Sequence, residues 1–291
     1  MRIHALRTGR VQVKSSQLVA RGHGLARRLA PLFDEAWSDW LPTYAFAVEH
    51  RDGVVLVDTG ASAALKRLPR WHPYFRLAVR FDIEPEEEAG PRLRALGIGP
   101  SDVKLVVVTH LHIDHDAGLA AFPRSRTLVS PGEIRSASGL AGQIRGYLPQ
   151  RWPSSFDPEP LVFAAERYGP FARSRRLTAD GAVIAVPTPG HTPDHVSIVV
   201  EDGDCTVVMA GDASYSEASL IEGRLDGISP NEASALATLS RLRELAAARP
   251  TVFLPTHDPQ SADRLARRQT VAFAAADGAP AKRLASQGAP C

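Results

Sequence analysis

Four metal-ligating side chains crowd into six consecutive positions of this chain, His110-Leu111-His112-Ile113-Asp114-His115. On an ideal helix, at about 100° per residue, His110, His112, Asp114 and His115 would point to about 0°, 200°, 40° and 140°. No single helical face gathers them, so the segment is expected to be a turn. It follows Leu105–Val108 through Thr109, an apolar run rich in β-branched residues and too short for a helix. A turn at the end of a buried strand can aim His110 and His112 at one ion and Asp114 and His115 at another. Imidazole and carboxylate are a hydrolytic-zinc ligand set and need no cysteine.

Four further runs end the same way. Val54–Val57 leads into Asp58, and Val183–Val186 leads through a Pro-Thr-Pro-Gly turn to His191. Thr206–Ala210 leads through Gly211 to Asp212, and Thr251–Leu254 leads through Pro255 and Thr256 to His257. Ligands at strand ends can converge on one rim of a sheet sandwich. His110, His112, Asp114, His115, His191, Asp212 and His257 are too many for one tetrahedral zinc. Two divalent transition-metal ions are therefore expected, with zinc favoured by the ligand types. His195 follows His191 by one helical turn's spacing and reads as a hydrogen-bonding neighbour of the ligands. His4, His23, His50 and His72 read as surface or loop residues.

Helical patterns separate the strands. Glu86–Leu96 precedes Gly97 and Gly99, a plausible stop. Ser229-Pro230-Asn231-Glu232 opens a helix to about Ala248 with Leu236, Leu239, Leu242 and Leu245 on one stripe. Ser261–Gln269 is a short basic helix. Segments 21–42, 65–85 and 139–171 read as irregular insertions, and such segments often form lids or binding loops. The expected layout is one domain over residues 1–270 and a flexible tail over 271–291.

Composition narrows the setting. A hydrophobic content of 44% supports a sizeable core, and a net charge of +2 argues against nucleic acid as a partner. Residues 1–80 carry 13 Lys/Arg against 6 Asp/Glu, and the rest carry 21 against 26. The opposed charges leave room for a homodimer, although solvated surface charge is the simpler reading. No run reaches the length of a signal peptide core or a membrane span. Cys205 and Cys291 are not expected to pair, which suits a reducing cytoplasm.

Together, the His110–His115 motif, Thr188-Pro189-Gly190-His191-Thr192-Pro193, Gly211-Asp212-Ala213 and Pro255-Thr256-His257 resemble the metallo-β-lactamase superfamily over roughly residues 42–258. The resemblance implies a four-layer αββα sandwich with the metals along one edge. It implies that His110, His112 and His191 hold the first ion, that Asp114, His115 and His257 hold the second, and that Asp212 bridges both with a hydroxide. Val57-Asp58-Thr59-Gly60 is similar to the family's early strand-end motif, in which the Asp supports the ligands. Many relatives carry two glycines after the last motif His, whereas this chain has Asp116-Ala117-Gly118; Ala117 is still small.

Within the superfamily, the full motif differs from the redox di-iron relatives, and the intact His115 and Asp212 differ from the antibiotic-degrading branches. No basic block suggests an RNA-processing branch. About 34 residues follow His257, too few for the helical domain of glutathione-thioester hydrolases. Tyr215, three residues after Asp212, resembles the active-site tyrosine of N-acyl-homoserine lactonases. That resemblance implies lactone opening, with Tyr215 donating a hydrogen bond to substrate and Asp114 passing a proton to the leaving group. The alternatives are another lactonase, an esterase or a phosphotriesterase on the same metals, or a non-catalytic metal-binding protein. Phe33, Trp37, Trp40, Leu41, Tyr147 and Trp152 are candidates for an apolar wall around an acyl tail.

Overall fold

Alternation along the strands decides how the layers stack. The computed structural model describes residues 1–69, 71–273 and 291. One sheet has the order β4-β1-β2-β3-β5-β6-β7. Its strands are β1 (Arg2–Val13), β2 (Leu41–His50), β3 (Gly53–Val57), β4 (Val79–Asp82), β5 (Val103–Val107), β6 (Arg126–Val129) and β7 (Glu159–Pro160). The second has the order β12-β11-β10-β9-β8. Its strands are β8 (Arg175–Arg176), β9 (Val183–Pro187), β10 (Val196–Asp202), β11 (Cys205–Gly211) and β12 (Thr251–Pro255).

On β3, Val55 and Val57 face the second sheet and meet Ile198, Met209 and Leu254 in a shared core. Val54 and Leu56 point the other way, onto Ala89 and Leu93. On β11, Val207 and Met209 face inward while Val208 and Ala210 pack under Leu239 and Leu242. A strand buried on both faces reads as a continuous apolar run, which is how these strands read in the sequence. Helices cover both outer faces, so the chain is the expected four-layer αββα sandwich.

The helices are α1 (Ser15–Leu18), α2 (Gly24–Phe33), α3 (Pro73–Leu77), α4 (Ala89–Ala95), α5 (Ile113–Asp116), α6 (Pro131–Ala137), α7 (Gly139–Ile144), α8 (Glu217–Glu222), α9 (Glu232–Ala248) and α10 (Ser261–Ala266). The Asn231 side chain caps α9 by accepting from Ser234 N at 2.9 Å. The expected 86–96 helix is shorter, with a 3-10 turn at Pro85–Glu87 before α4.

Several elements differ from expectation. Segment 21–42 contains the ten-residue helix α2, and segment 65–85 contains α3 and β4. The charged N-terminus forms β1, the longest strand, which pairs with β2 and β4. Cys205 and Cys291 form a disulfide, with Cα atoms 5.6 Å apart. Arg268 brings them together: its Nε donates to the Cys291 carbonyl at 2.6 Å and its Nη1 to Asp202 at 2.7 Å, at the β10–β11 turn. The pairing corrects the expectation of free thiols and removes its argument for a reducing compartment. His72 is buried, not a surface residue, with Nε2 2.8 Å from the Gln143 carbonyl. Val271 is buried and donates to Thr251 O at 2.8 Å, so the start of the expected tail is packed, and residues 274–290 lie outside the described ones. Among the described residues, no helix is long and apolar enough to cross a membrane.

The end of β12 is held by buried Arg264, which donates to Phe253 O at 2.8 Å and Asp258 at 3.0 Å and pairs with Glu217 at 3.1 Å. Removing one partner of a buried pair leaves the remaining charges unmatched, at about 3–5 kcal/mol. Arg264→Leu is expected to lower unfolding free energy by about that amount in urea titrations. An unchanged midpoint would show that Arg264 does not anchor β12.

Candidate metal centre and its cavity

Strand direction puts the ligands together. β9, β11 and β12 run the same way, because β9 and β11 are each antiparallel to β10 and β12 is parallel to β11. Their C-terminal ends carry His191, Asp212 and His257 to one edge. β3 and β5 are parallel, and their ends carry Asp58 and His110 to the same place. Backbone bonds lock the two sheets there: Val196 N donates to Thr109 O at 3.0 Å, and Tyr44 N to Thr256 O at 3.1 Å.

The motif is half loop and half helix. His110 and His112 lie in a turn as expected, but Asp114 and His115 ride on the single helical turn α5. Asp58 organises it. Its carboxylate accepts from Thr109 N at 2.7 Å, Thr109 Oγ1 at 2.9 Å and His115 Nδ1 at 2.8 Å. Since the Thr109 hydroxyl donates to Asp58, its lone pairs face His110 Nδ1 at 3.1 Å. His257 Nδ1 donates to Pro42 O at 3.0 Å. Each of these imidazoles thereby spends its N–H away from the cluster and turns a lone pair inward, the arrangement metal-ligating histidines adopt.

The inward atoms form three overlapping groups: His110, His112 and His191; His110, His115 and Asp212; and Asp114, His115 and His257, with candidate ligand atoms within 4.8 Å in each. His112 Nδ1 is 3.0 Å from both His110 Nε2 and His191 Nε2. Asp212 spans the groups, with Oδ2 3.4 Å from His191 Nε2 and Oδ1 3.3 Å from His115 Nε2 and 3.4 Å from His257 Nε2. His257 Nε2 is also 3.4 Å from Asp114 Oδ2. A tetrahedral ion with bonds of about 2.0–2.1 Å sets its ligand atoms about 3.3 Å apart. His115 Nε2 and Asp212 Oδ1 are buried without a hydrogen-bond partner, two acceptors facing each other. A cation between such atoms compensates their burial, so the residues fit the metals that their types imply.

Electrostatics agrees. Burial, reinforced by neighbouring imidazoles, holds His110 and His112 well below the usual histidine range. Their neutral forms are the metal-binding forms. Burial opposes charge on His115, but Asp212 and Asp58 outweigh it and raise its pKa, so the inward lone pair attracts a proton wherever no cation takes that place. Burial likewise opposes ionisation of Asp212, and His257, His115 and His191 overcome it and keep it a carboxylate. His195 is a neighbour as expected: burial and His191 push its pKa down to about 3, and its Nε2 accepts from Asp212 N at 3.1 Å. Gly211, at φ +56°, leaves room for that ring, since a Cβ there would sit 2.7 Å from His195 Nε2.

A cavity of about 530 Å³ opens above the cluster, a size usual for small-molecule sites. His112, Asp114, His191, Asp212, Tyr215 and His257 lie at its polar end. Leu29, Leu32, Phe75, Val79, Phe81 and Ile144 line the rest.

Of the six expected wall residues, Leu41 and Tyr147 line this cavity, and the other four do not. Trp37 lies between Lys14 and Arg80, whose charges sit 4.0 and 3.9 Å from its ring centre. Trp40 takes a similar contact from Arg10. Trp152 packs on Phe156 and donates to Asp116 at 2.6 Å. Phe33 is 79% exposed at the end of α2. The apolar wall comes instead from the leucines of α2 and from residues 75–81.

Three polar residues escaped the sequence reading. Glu133 is buried and accepts from Leu111 N at 3.1 Å, which fixes the backbone between His110 and His112. Gln17 donates through Nε2 to Tyr215 Oη at 3.1 Å and accepts from Tyr74 Oη at 2.9 Å. Since Tyr215 accepts from Gln17, its own proton remains to be donated. Burial, reinforced by Asp212, raises the Tyr215 pKa well above that of free tyrosine and preserves that proton. His191 and His257 flank the phenol, with ring centres 5.9 and 5.7 Å away.

The metallo-beta-lactamase superfamily model matches residues 38–257. The chain belongs to this superfamily. A probable metallo-hydrolase of Mycobacterium tuberculosis is 34% identical over 190 residues, covering 63% of this chain and 59% of that relative's length. The N-acyl homoserine lactonase AttM of Azorhizobium caulinodans is 28% identical over 233 residues, covering 76% of this chain and 83% of the relative. A solved N-acyl homoserine lactone hydrolase, with the product N-hexanoyl-L-homoserine at its catalytic metal centre, superposes with a TM-score of 0.70. That match, at 19% identity, covers 89% of this chain and 93% of the other and shows the shared fold.

Elemental analysis is expected to find two transition-metal ions per chain, and Asp212→Ala is expected to weaken retention of both through loss of the shared ligand. A single tightly held ion, indifferent to that substitution, would rule out a shared carboxylate.

Proposed function

We propose that the protein is a dinuclear metal-dependent hydrolase that opens the ring of N-acyl-homoserine lactones. The carrying observation is Tyr215, a protonated phenol between two candidate metal ligands at the polar end of a largely apolar cavity. The similarity to the lactonase AttM over most of both chains supports the same substrate class. In this reading His110, His112 and His191 hold one ion, Asp114, His115 and His257 hold the other, and Asp212 is shared. Zinc at these positions supplies Lewis acidity toward a carbonyl oxygen and lowers the pKa of attacking water.

The side chains supply the rest. Tyr215 donates to a substrate oxygen and stabilises negative charge developing there. Gln17, itself held by Tyr74, donates to the phenol oxygen and leaves its proton free for that contact. In this reading Asp114, which lines the cavity beside His257, takes the proton that the attacking water gives up and passes it to the departing ring oxygen. The apolar walls exclude water and accept the acyl chain, each buried methylene contributing about 0.8 kcal/mol.

Tyr215→Phe keeps the ring and removes one donor. It is expected to cut kcat/KM on acyl-homoserine lactones by about 10- to 1,000-fold with metal content unchanged. A lactone, ester and phosphotriester panel on the wild type checks the substrate class, and turnover of phosphotriesters without lactones would overturn it. Gln17→Leu leaves the phenol unsupported and is expected to lower kcat by about tenfold, with a smaller change in KM and no loss of metal. Equal kcat in wild type and Gln17→Leu would remove Gln17 from the mechanism.

A further inference from the structure

Helix α2 is inside out. Its Arg27 is 1% exposed, while Leu25 is 68% exposed and Phe33 79%. Arg27 donates to Glu232 at 3.1 Å, to the Asp226 carbonyl at 2.6 Å and to the Ser229 carbonyl. Glu232 also accepts from Gly24 N at 2.7 Å at the start of the helix. These bonds pin α2 by its charged side and hold its leucines outward. An amphipathic helix normally turns the other way.

The outward face belongs to a larger patch around the cavity mouth. Leu25 and Leu29 line the cavity together with Ile144 of α7. Leu140, one turn before Ile144, is 68% exposed, and Ile144 itself is 64% exposed. Trp71, 60% exposed, adjoins His72, whose ring contacts the Gln143 and Ile144 carbonyls at 2.8 and 3.2 Å. Exposed apolar residues gathered at one cavity in this way mark an interaction surface.

Charge selects the occupant. Segments 24–33, 71–77 and 139–146 contain no Asp or Glu, and apart from buried Arg27 their arginines Arg28, Arg76 and Arg145 are exposed. No ion-pair partner is found for those three among the described residues. A second copy meeting this face through a two-fold axis would set arginine against arginine. A bilayer containing anionic lipid offers acyl chains to the leucines and headgroup phosphates to the arginines.

We propose that this rim, with α2 as its main apolar ridge, docks the protein on anionic phospholipid bilayers with the cavity mouth facing the lipid. The docking does not depend on the substrate assigned above. Delivery of an acyl-tailed substrate from the bilayer does rest on that reading.

The test is cosedimentation of the full-length protein with vesicles of phosphatidylcholine alone or of phosphatidylcholine with phosphatidylglycerol. Binding is expected with the anionic vesicles, and added salt is expected to weaken it. Phe33→Ser combined with Leu140→Ser changes two exposed residues outside the cavity lining. It is expected to reduce partitioning by at least about tenfold while turnover of a short-chain, water-soluble lactone is unchanged. Arg28→Glu is expected to abolish the preference for anionic lipid. Failure to bind anionic vesicles, or equal binding by the double variant, overturns the proposal. So does light scattering that finds a dimer converted to monomer by the double variant, because the face is then covered by a second copy. Loss of the substrate assignment would instead appear as no lactone turnover, whatever the vesicle result.

Discussion

The Asp58 carboxylate is the fixed point on which the metal centre depends. Asp58 is a non-glycine residue in the left-handed region, at φ +58°. That conformation costs of order 1–3 kcal/mol and persists only where the surroundings enforce it. They do: Asp58 N donates to Val107 O at 2.9 Å, and Thr59 N donates to His115 O at 2.8 Å. The carboxylate then reaches Thr109 and His115 together, so one residue sets the strand end, one imidazole directly and, through the Thr109 hydroxyl, a second. Gly118 completes the joint, since a Cβ there would lie 2.3 Å from the Thr59 carbonyl. Of the three residues after His115, Gly118 is the one whose missing side chain matters, and Ala117 is accommodated without difficulty.

The residues that gather at the candidate metal centre were legible in the sequence because they follow the ends of apolar runs, and parallel strands bring such ends to one edge. The same regularity made the two-sided burial of β3, β5, β9, β11 and β12 readable. Side chains that reach the centre from elsewhere gave no such signal. Gln17 and Tyr215 are 198 residues apart, and Glu133 is 22 residues from Leu111. The disulfide was hidden by a separation of 86 residues. Strand β1 was masked by exposed arginines at positions 2, 7 and 10, which break up the apolar pattern around buried Leu6 and Val11. The tryptophans lie away from the cavity for a related reason. A tryptophan near the site in sequence found a cation or a carboxylate to satisfy it before reaching the cavity, as Trp37 and Trp152 show.

The cavity combines two demands that normally conflict. Its polar end concentrates buried imidazoles and carboxylates, each costly to desolvate alone. They tolerate burial because every outward nitrogen of His110, His115 and His257 has a partner and every inward atom shares a small volume fit for a cation. Its walls are mostly aliphatic and aromatic, with Gln17, Arg28 and Arg145 among them, and the apolar part lowers the dielectric and strengthens each interaction made there. Tyr215 stands at the junction. It is buried enough to stay protonated, and its ring lies beside those of His191 and His257.

Arg27 explains why the mouth of that cavity is apolar at all. Burying a guanidinium is tolerable only when its donors are met, and Glu232 with two carbonyls meets them. Those acceptors lie at the N-terminal end of α9 and the loop before it, on the same side of the molecule as Tyr215, whose partner Gln17 also contacts this loop through Gly227 N, 2.8 Å from Gln17 O. The loop from 226 to 231 thus supports both the phenol and the outward-facing helix. Without Arg27, α2 loses the bonds to Glu232, Asp226 and Ser229 that hold its leucines at the cavity. The charged anchor beneath the helix is therefore what keeps an apolar rim open to the surroundings.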